Sequence, residues 1–96
     1  MTGVELIAAE RQRQIDVEGY DAEHDRGAAD NLAAAGAIYA TPAGWRHRRS
    51  PGDFVPVGWP WADRAWKPTP DDRIRELTKA GALIAAAIDA LADPRP

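Results

Sequence analysis

The sequence predicts a mainly α-helical protein: a small three-helix domain crossed by a long irregular arm rich in tryptophan and proline. Three observations carry this. Ile74, Leu77, Gly81, Ile84, Ile88 and Leu91 recur alternately three and four residues apart, the period of a helix. Thr2 and Glu5 have the spacing of a capping box at the head of a charged run that ends at Gly19. Between these segments, residues 58–70 hold three tryptophans and three prolines in thirteen positions, and proline resists helix interiors and central strands alike.

The first helix is expected over about residues 3–18, with Thr2 as its cap and Gly19 as its left-handed terminator. Val4, Ile7, Ala8 and Ile15 share one face, and Arg11 falls on that face too. A charge on a core-facing stripe must be paired or must reach a ligand. A polar loop follows through Tyr20, His24 and Asp25. The second helix is expected over about 28–40, burying Leu32, Ala35, Gly36 and Tyr39 and ending before Pro42. Residues 41–69 form the arm. Pro42, Gly44, Pro51, Gly52, Pro56 and Gly58 punctuate its first half, which is long for a loop in a compact domain. The third helix is expected over about 70–92. Thr69 is read as its cap, Pro70 as its first residue, and Asp71 and Asp72 as negative charge on its positive end. Gly81 on the apolar seam implies close approach by a neighbouring element, because glycine lowers helix propensity.

The 96 residues suffice for one domain. A domain this size buries only about 60–65% of the surface its unfolded chain exposes, so its stability margin is thin. Together with the heptad-like seam, this favours a homo-oligomer. With no cysteine, disulfides and thiolate metal sites are excluded. No apolar run approaches membrane-spanning length, and Glu5 and Glu10 interrupt any signal-peptide pattern, so no membrane partner and a cytoplasmic location are expected. The net charge of −3 argues against general nucleic-acid binding. The basic cluster Trp45–Arg49 is expected to be a solvated loop.

Four constellations bear on chemistry. Arg11, Gln14, His24 and Asp25 offer donors for a phosphate or carboxylate and an imidazole that titrates near neutrality. The alternative is a structural network in which Arg11 pairs with Asp25 and pins the loop. Asp21, Glu23, His24, Asp25 and Asp30 are oxygen and nitrogen donors for a hard cation, but no His-x-x-x-His or Glu-x-x-His spacing supports a metal, and none is assigned. The Glu-x-x-Glu pairs of helical pyrophosphohydrolases are missing, since Arg13 follows Glu10 and Lys79 follows Glu76 at that spacing. No phosphate-binding glycine loop or nucleophile elbow is present either. Finally, Trp59, Trp61 and Trp66 can stack a planar ring while Lys67, Arg73 and Lys79 supply cations beside a helix start. The alternative is that the indoles only cover the helical core.

Glu10–Gln14, Glu18-Gly19-Tyr20 and Glu23-His24-Asp25, followed by Trp59-Pro60-Trp61, Trp66-Lys67-Pro68, Asp72-Arg73 and Lys79–Ile84, resemble a family of small proteins encoded by bacteriophages and prophages. The resemblance covers most of the chain except residues 41–57. Gly19-Tyr20, Pro60-Trp61 and Asp72-Arg73 also stand in the order of the ryanodine-receptor-type repeat domain, with Tyr20 where that domain has tryptophan. That second resemblance implies recognition of a nucleotide-like ligand. The expectation is a phage or prophage accessory protein, more a binder than an enzyme and without a cofactor. It would hold a small anionic, nucleotide-derived ligand through Arg11, Gln14, His24, Asp25, Trp59, Trp61, Trp66, Lys67 and Arg73, and so sequester an immune signal of the host. The alternatives are a module that binds a host protein and a metal-dependent hydrolase.

Overall fold

The computed structural model describes residues 1–19, 21 and 24–93. It contains helices α1 (Gly3–Glu18), α2 (Ala29–Ala40) and α3 (Arg73–Ala92), with short 3-10 turns at Ala43–Trp45 and Asp63–Ala65 in the arm. The protein is thus the small, mainly helical, three-helix domain that its periodicity predicts. α3 packs against both other helices, which do not pack against each other.

Both ends of α1 follow their local chemistry. Thr2 Oγ1 accepts from the Glu5 amide at 3.2 Å, and Glu5 returns a carboxylate to the Thr2 amide at 2.8 Å. Gly19 ends the helix at φ 74°, where its amide reaches Gln14 O and Ile15 O. The buried face differs from the one expected. Glu10, Arg11 and Gln14 are buried, whereas Val4 is 79% exposed and Ala8 is exposed. Ion pairs to α3 compensate the desolvation of this polar face.

α2 buries Ala29, Leu32, Ala35, Gly36 and Tyr39, the expected stripe with Ala29 added. With Ala80, Leu83, Ala86 and Ala87 of α3 it forms the core, and Trp59, Trp61 and Trp66 close over that core from the arm. Small residues bring the backbones close. A Cβ on Gly36 would stand 3.0 Å from Ile84 Cγ1 and 3.1 Å from Ala80 O, and one on Gly81 would stand 2.7 Å from Ile7 Cγ1.

α3 begins three residues later than expected. Asp72, not Thr69, is its cap, with the Arg75 amide donating to Asp72 Oδ1 at 3.0 Å. Residues 69–72 form a turn closed by the Asp72 amide on Thr69 O, and the Thr69 amide is taken by Glu76 Oε2 at 3.0 Å. The apolar seam is open to solvent in the single chain. Ile74, Leu77, Ile84, Ile88 and Leu91 are 42–76% exposed, because α2 packs beside the seam, through Ala80, Leu83 and Ala87, and reaches only its edge at Ile84, which lies against Gly36. None of the helices is long and apolar enough to cross a membrane among the described residues.

The first half of the arm doubles back on itself. Val57 donates to His47 O at 2.7 Å, an antiparallel bridge joins Arg48 to Pro56, and Gly52 turns the chain at φ 81°. Arg49 holds this loop to the second half by bonding Asp53 at 2.9 Å and Asp63 at 3.0 Å. The basic cluster is therefore only partly solvated. Trp45, His47, Arg48 and Arg49 are exposed, but the Arg46 side chain is 8% exposed and bonds Ile38, Tyr39 and Glu76.

Candidate ligand-binding cavity

The arm is fixed at the C-terminus of α2, where the last carbonyls of a helix lack intrahelical donors. Arg46 Nε donates to Ile38 O at 3.0 Å and its Nη2 to Tyr39 O at 3.2 Å. Arg73 donates to Tyr39 O at 2.9 Å and also to Ala40 O. Both guanidinium groups meet the wholly buried Glu76, Arg46 at 2.9 Å and Arg73 at 3.4 Å. Burial alone would raise the Glu76 pKa, but the hydrogen bonds from Arg46 and the Thr69 amide outweigh it and hold the carboxyl below its ordinary value. The cations also suit the negative end of the α2 dipole.

On this base sits an aromatic cluster. Arg46 lies 5.1 Å from the Trp66 ring centroid. Tyr39 and Trp66 are tilted with centroids 4.7 Å apart, and Trp59 meets Tyr39, Trp66 and Trp61 edge-on at 5.7, 5.0 and 5.5 Å. Two of the polar tips have partners. Trp59 Nε1 donates to Ala62 O at 3.1 Å, and the Tyr39 hydroxyl accepts from the Lys67 amide at 3.1 Å. The three indoles are half-buried, neither sealed in the core nor free.

Between this cluster and α1 lies a cavity of about 340 Å³. Tyr39, Trp59, Trp61, Ala65 and Lys67 line one side, α1 supplies Glu10, Arg13, Gln14 and Glu18, and α3 supplies Arg75, Lys79 and Leu83. Four cations thus face two carboxylates. Glu10 Oε1 accepts from Arg13 Nε at 2.9 Å and Arg75 Nη1 at 2.8 Å, while Oε2 accepts from Arg13 Nη2 at 2.9 Å and Gln14 Nε2 at 3.3 Å. Burial pushes the Glu10 pKa up, but the bonds and charges of Arg13 and Arg75 prevail and bring it down to about 2. Lys79 Nζ donates to Lys67 O at 2.9 Å and lies 5.4 Å from the Tyr39 ring centroid. Its pKa is lowered by burial and by the Arg75 charge. The Lys67 ammonium makes no ion pair among the described residues. Gln14 is 4% exposed, and its Oε1 has no hydrogen-bond partner among the described residues. A buried acceptor without a donor is a costly arrangement that a ligand N–H or O–H group would relieve.

Of the candidate site residues, Gln14, Trp59, Trp61 and Lys67 line the cavity. Trp66 packs beneath it, and Arg73 serves the α2 terminus. Arg11 lies elsewhere. It bonds Asp89 through Nε and Nη2, both at 3.2 Å, and stands 3.9 Å from the buried Asp25, whose Oδ1 meets His24 Nδ1 at 2.8 Å. This is the pinning network that reading of Arg11 and Asp25 allowed. Among the described residues, no three acidic or histidine side chains gather to hold a metal ion, and Glu23 lies outside them. Glu10, Arg13, Glu18, Tyr39, Ala65, Arg75 and Leu83 line the cavity without having been singled out from sequence as site residues. The available signal was periodic: Glu10, Arg13 and Gln14 fall one turn apart on α1, as do Arg75, Lys79 and Leu83 on α3.

Searches against family models, curated proteins and solved structures return no match to this chain.

Proposed function

We propose that this protein binds a small anionic ligand bearing a planar ring, nucleotide-derived, and acts by holding it rather than transforming it. The observation that carries the reading is the cavity itself. Aromatic faces from α2 and the arm oppose an excess of cationic groups, beside a buried glutamine oxygen in need of a donor. A volume of about 340 Å³ lies at the small end of ligand pockets and suits a mononucleotide-sized molecule or part of a larger one. Indole and phenol rings would contact the base, Lys67, Lys79 and Arg75 the phosphate, and Gln14 Oε1 a base N–H.

Binding without turnover is favoured because the cavity lining includes no serine, threonine, cysteine or histidine among the described residues. Its most buried carboxylate, Glu10, is kept ionised and saturated by two guanidinium groups, which leaves it poorly suited to shuttle a proton. The likeness to small phage and prophage proteins gives such binding a purpose, the sequestration of a nucleotide signal of host defence.

Linear and cyclic nucleotides titrated calorimetrically and by thermal shift test the reading. At least one should raise the melting temperature by several degrees at saturation, and its affinity should fall with added salt. Lys67→Ala and Trp61→Ala should each weaken it about tenfold or more. No response from any nucleotide retires the reading.

A second reading, a module that docks a host protein, draws on the arm, where Trp45 and Phe54 stand 73% and 85% exposed. Affinity capture from host lysate, compared with a Trp45→Ala and Phe54→Ala double variant, distinguishes it from ligand capture.

A further inference from the structure

We propose that the bare stripe of α3 is the interface of a two-fold homodimer. Ile74, Leu77, Ile84, Ile88 and Leu91 are 68%, 46%, 42%, 60% and 76% exposed along one side of the helix, over a span of about 26 Å. The missing member of the series, Gly81, is covered by Ile7 of α1, so an apolar side chain fills that level as well. Arg75, Lys79 and Leu83, which face the cavity, lie on the opposite side of α3. The arm therefore covers one side of the helix and leaves the other open.

The architecture is short of a layer on that side. Domains bury an apolar helix face against a second layer. Here α1 and α2 flank α3 without meeting, and the molecule measures 43 × 33 × 20 Å, its thinnest dimension equal to about two helix diameters. A compact chain of 10.4 kDa exposes roughly 5,400 Å² by size scaling, against 6111 Å² for this one. The stripe belongs to this excess of roughly 700 Å², and a standard interface takes ~800 Å² from each partner.

A second copy fits this surface better than a charged partner does. The stripe contains no ionisable side chain, and the positions beside it from Thr78 to Ala92 are threonine and alanine, with Arg73 at one end. Two such faces meet without like-charge repulsion. A three-four spacing sustained over the 18 residues from Ile74 to Leu91 also matches the knobs and holes of a helix with the same spacing, and this chain presents one. The proposal is independent of the ligand cavity.

Sedimentation of the full chain from about 1 to about 200 µM decides the matter. The wild type should sediment at twice 10.4 kDa. Ile88→Glu should weaken association at least tenfold with the helical circular dichroism retained, whereas Phe54→Ser, on the arm, should leave the dimer intact. If Ile88→Glu does not fold, Leu91→Glu at the exposed end of the stripe serves instead. A mass of 10.4 kDa throughout the range overturns the proposal, whether the face then takes up lipid vesicles or another protein. Dissociation by Phe54→Ser but not by either stripe variant overturns it as well.

Discussion

Gly81 sets how closely α1 approaches α3, and two opposing effects meet there. In an isolated helix, replacing glycine with alanine is stabilising by about 1 kcal/mol. In this protein the new methyl group would lie 2.5, 2.7 and 3.3 Å from Cδ1, Cγ1 and Cγ2 of Ile7. Two of these atoms sit at the branch of the side chain, so rotating its tip does not clear the overlap, and overpacking of this kind costs roughly 1–3 kcal/mol. Sterics should win. Gly81→Ala is expected to lower the urea midpoint, and Ile7→Ala in the same chain should recover most of the loss, giving a coupling of at least about 1 kcal/mol. A stabilised single variant would show that α1 yields instead. Close packing at position 81 was legible from glycine on an apolar seam, but its partner was not. Arg46 and Glu76 were harder still. Nothing in the string Trp45–Arg49 separates the one arginine that enters the protein from its exposed neighbours. The distinction arises only when the C-terminal carbonyls of α2 and the Glu76 carboxylate converge on it.

At the scale of elements, termini and stripes set by local chemistry were readable. The α1 capping box, the Gly19 terminator and the buried stripe of α2 all depend on residues within one or two turns. The start of α3 was not, because Thr69 and Asp72 both carry oxygens able to cap a helix. The tie is broken by Glu76, which takes the Thr69 amide and holds residues 69–72 as a turn, leaving Asp72 to accept from Arg75. It follows that Asp72→Ala should cost about 1 kcal/mol of unfolding free energy. Thr69→Ala should cost much less, since its hydroxyl makes only a 3.5 Å contact with Asp72 O. Chemical denaturation of the two variants checks this, and equal losses would mean that the helix extends back toward Pro70 in solution. The apolar faces of α1 and α3 escaped sequence reasoning for a different reason. Periodicity locates a stripe but does not say what covers it. In α1 the charged residues on and beside the stripe, Arg11 and Glu10, are the ones drawn inward, by Asp89 and Arg75 on α3 and Asp25 in the loop.

For the whole molecule, Glu10 couples stability to the cavity. It joins α1 to α3 through Arg75, orients Arg13, and lines the proposed binding site. The sequence shows of Glu10 and Arg13 only that they miss the spacing of a metal-binding acid pair and share the phage-like segment Glu10–Gln14, since Arg75 is 65 residues away in the chain. The carboxyl titrates at about 2 in the folded protein against 4.5 as the ordinary value. Because the folded pKa is the lower one, the unfolded chain binds the proton more readily. The stabilisation is therefore complete above about pH 4.5 and is lost as the pH falls toward 2. The difference corresponds to roughly 3 kcal/mol at neutral pH, and Glu76 shifts in the same direction. Denaturant midpoints measured from pH 7 to pH 2 should stay level to about pH 5 and then fall steeply. Glu10→Gln should be less stable at pH 7, because Arg75 loses its carboxylate and Arg13 keeps only Glu18, at 3.4 Å, and should show a shallower acid slope. It should also alter ligand affinity, since Arg75 is then released toward the cavity while Arg13 stays on Glu18. An acid slope unchanged by Glu10→Gln would mean that the link between α1 and α3 contributes little to folding, and that Glu10 serves mainly to hold the two guanidinium groups at the cavity wall.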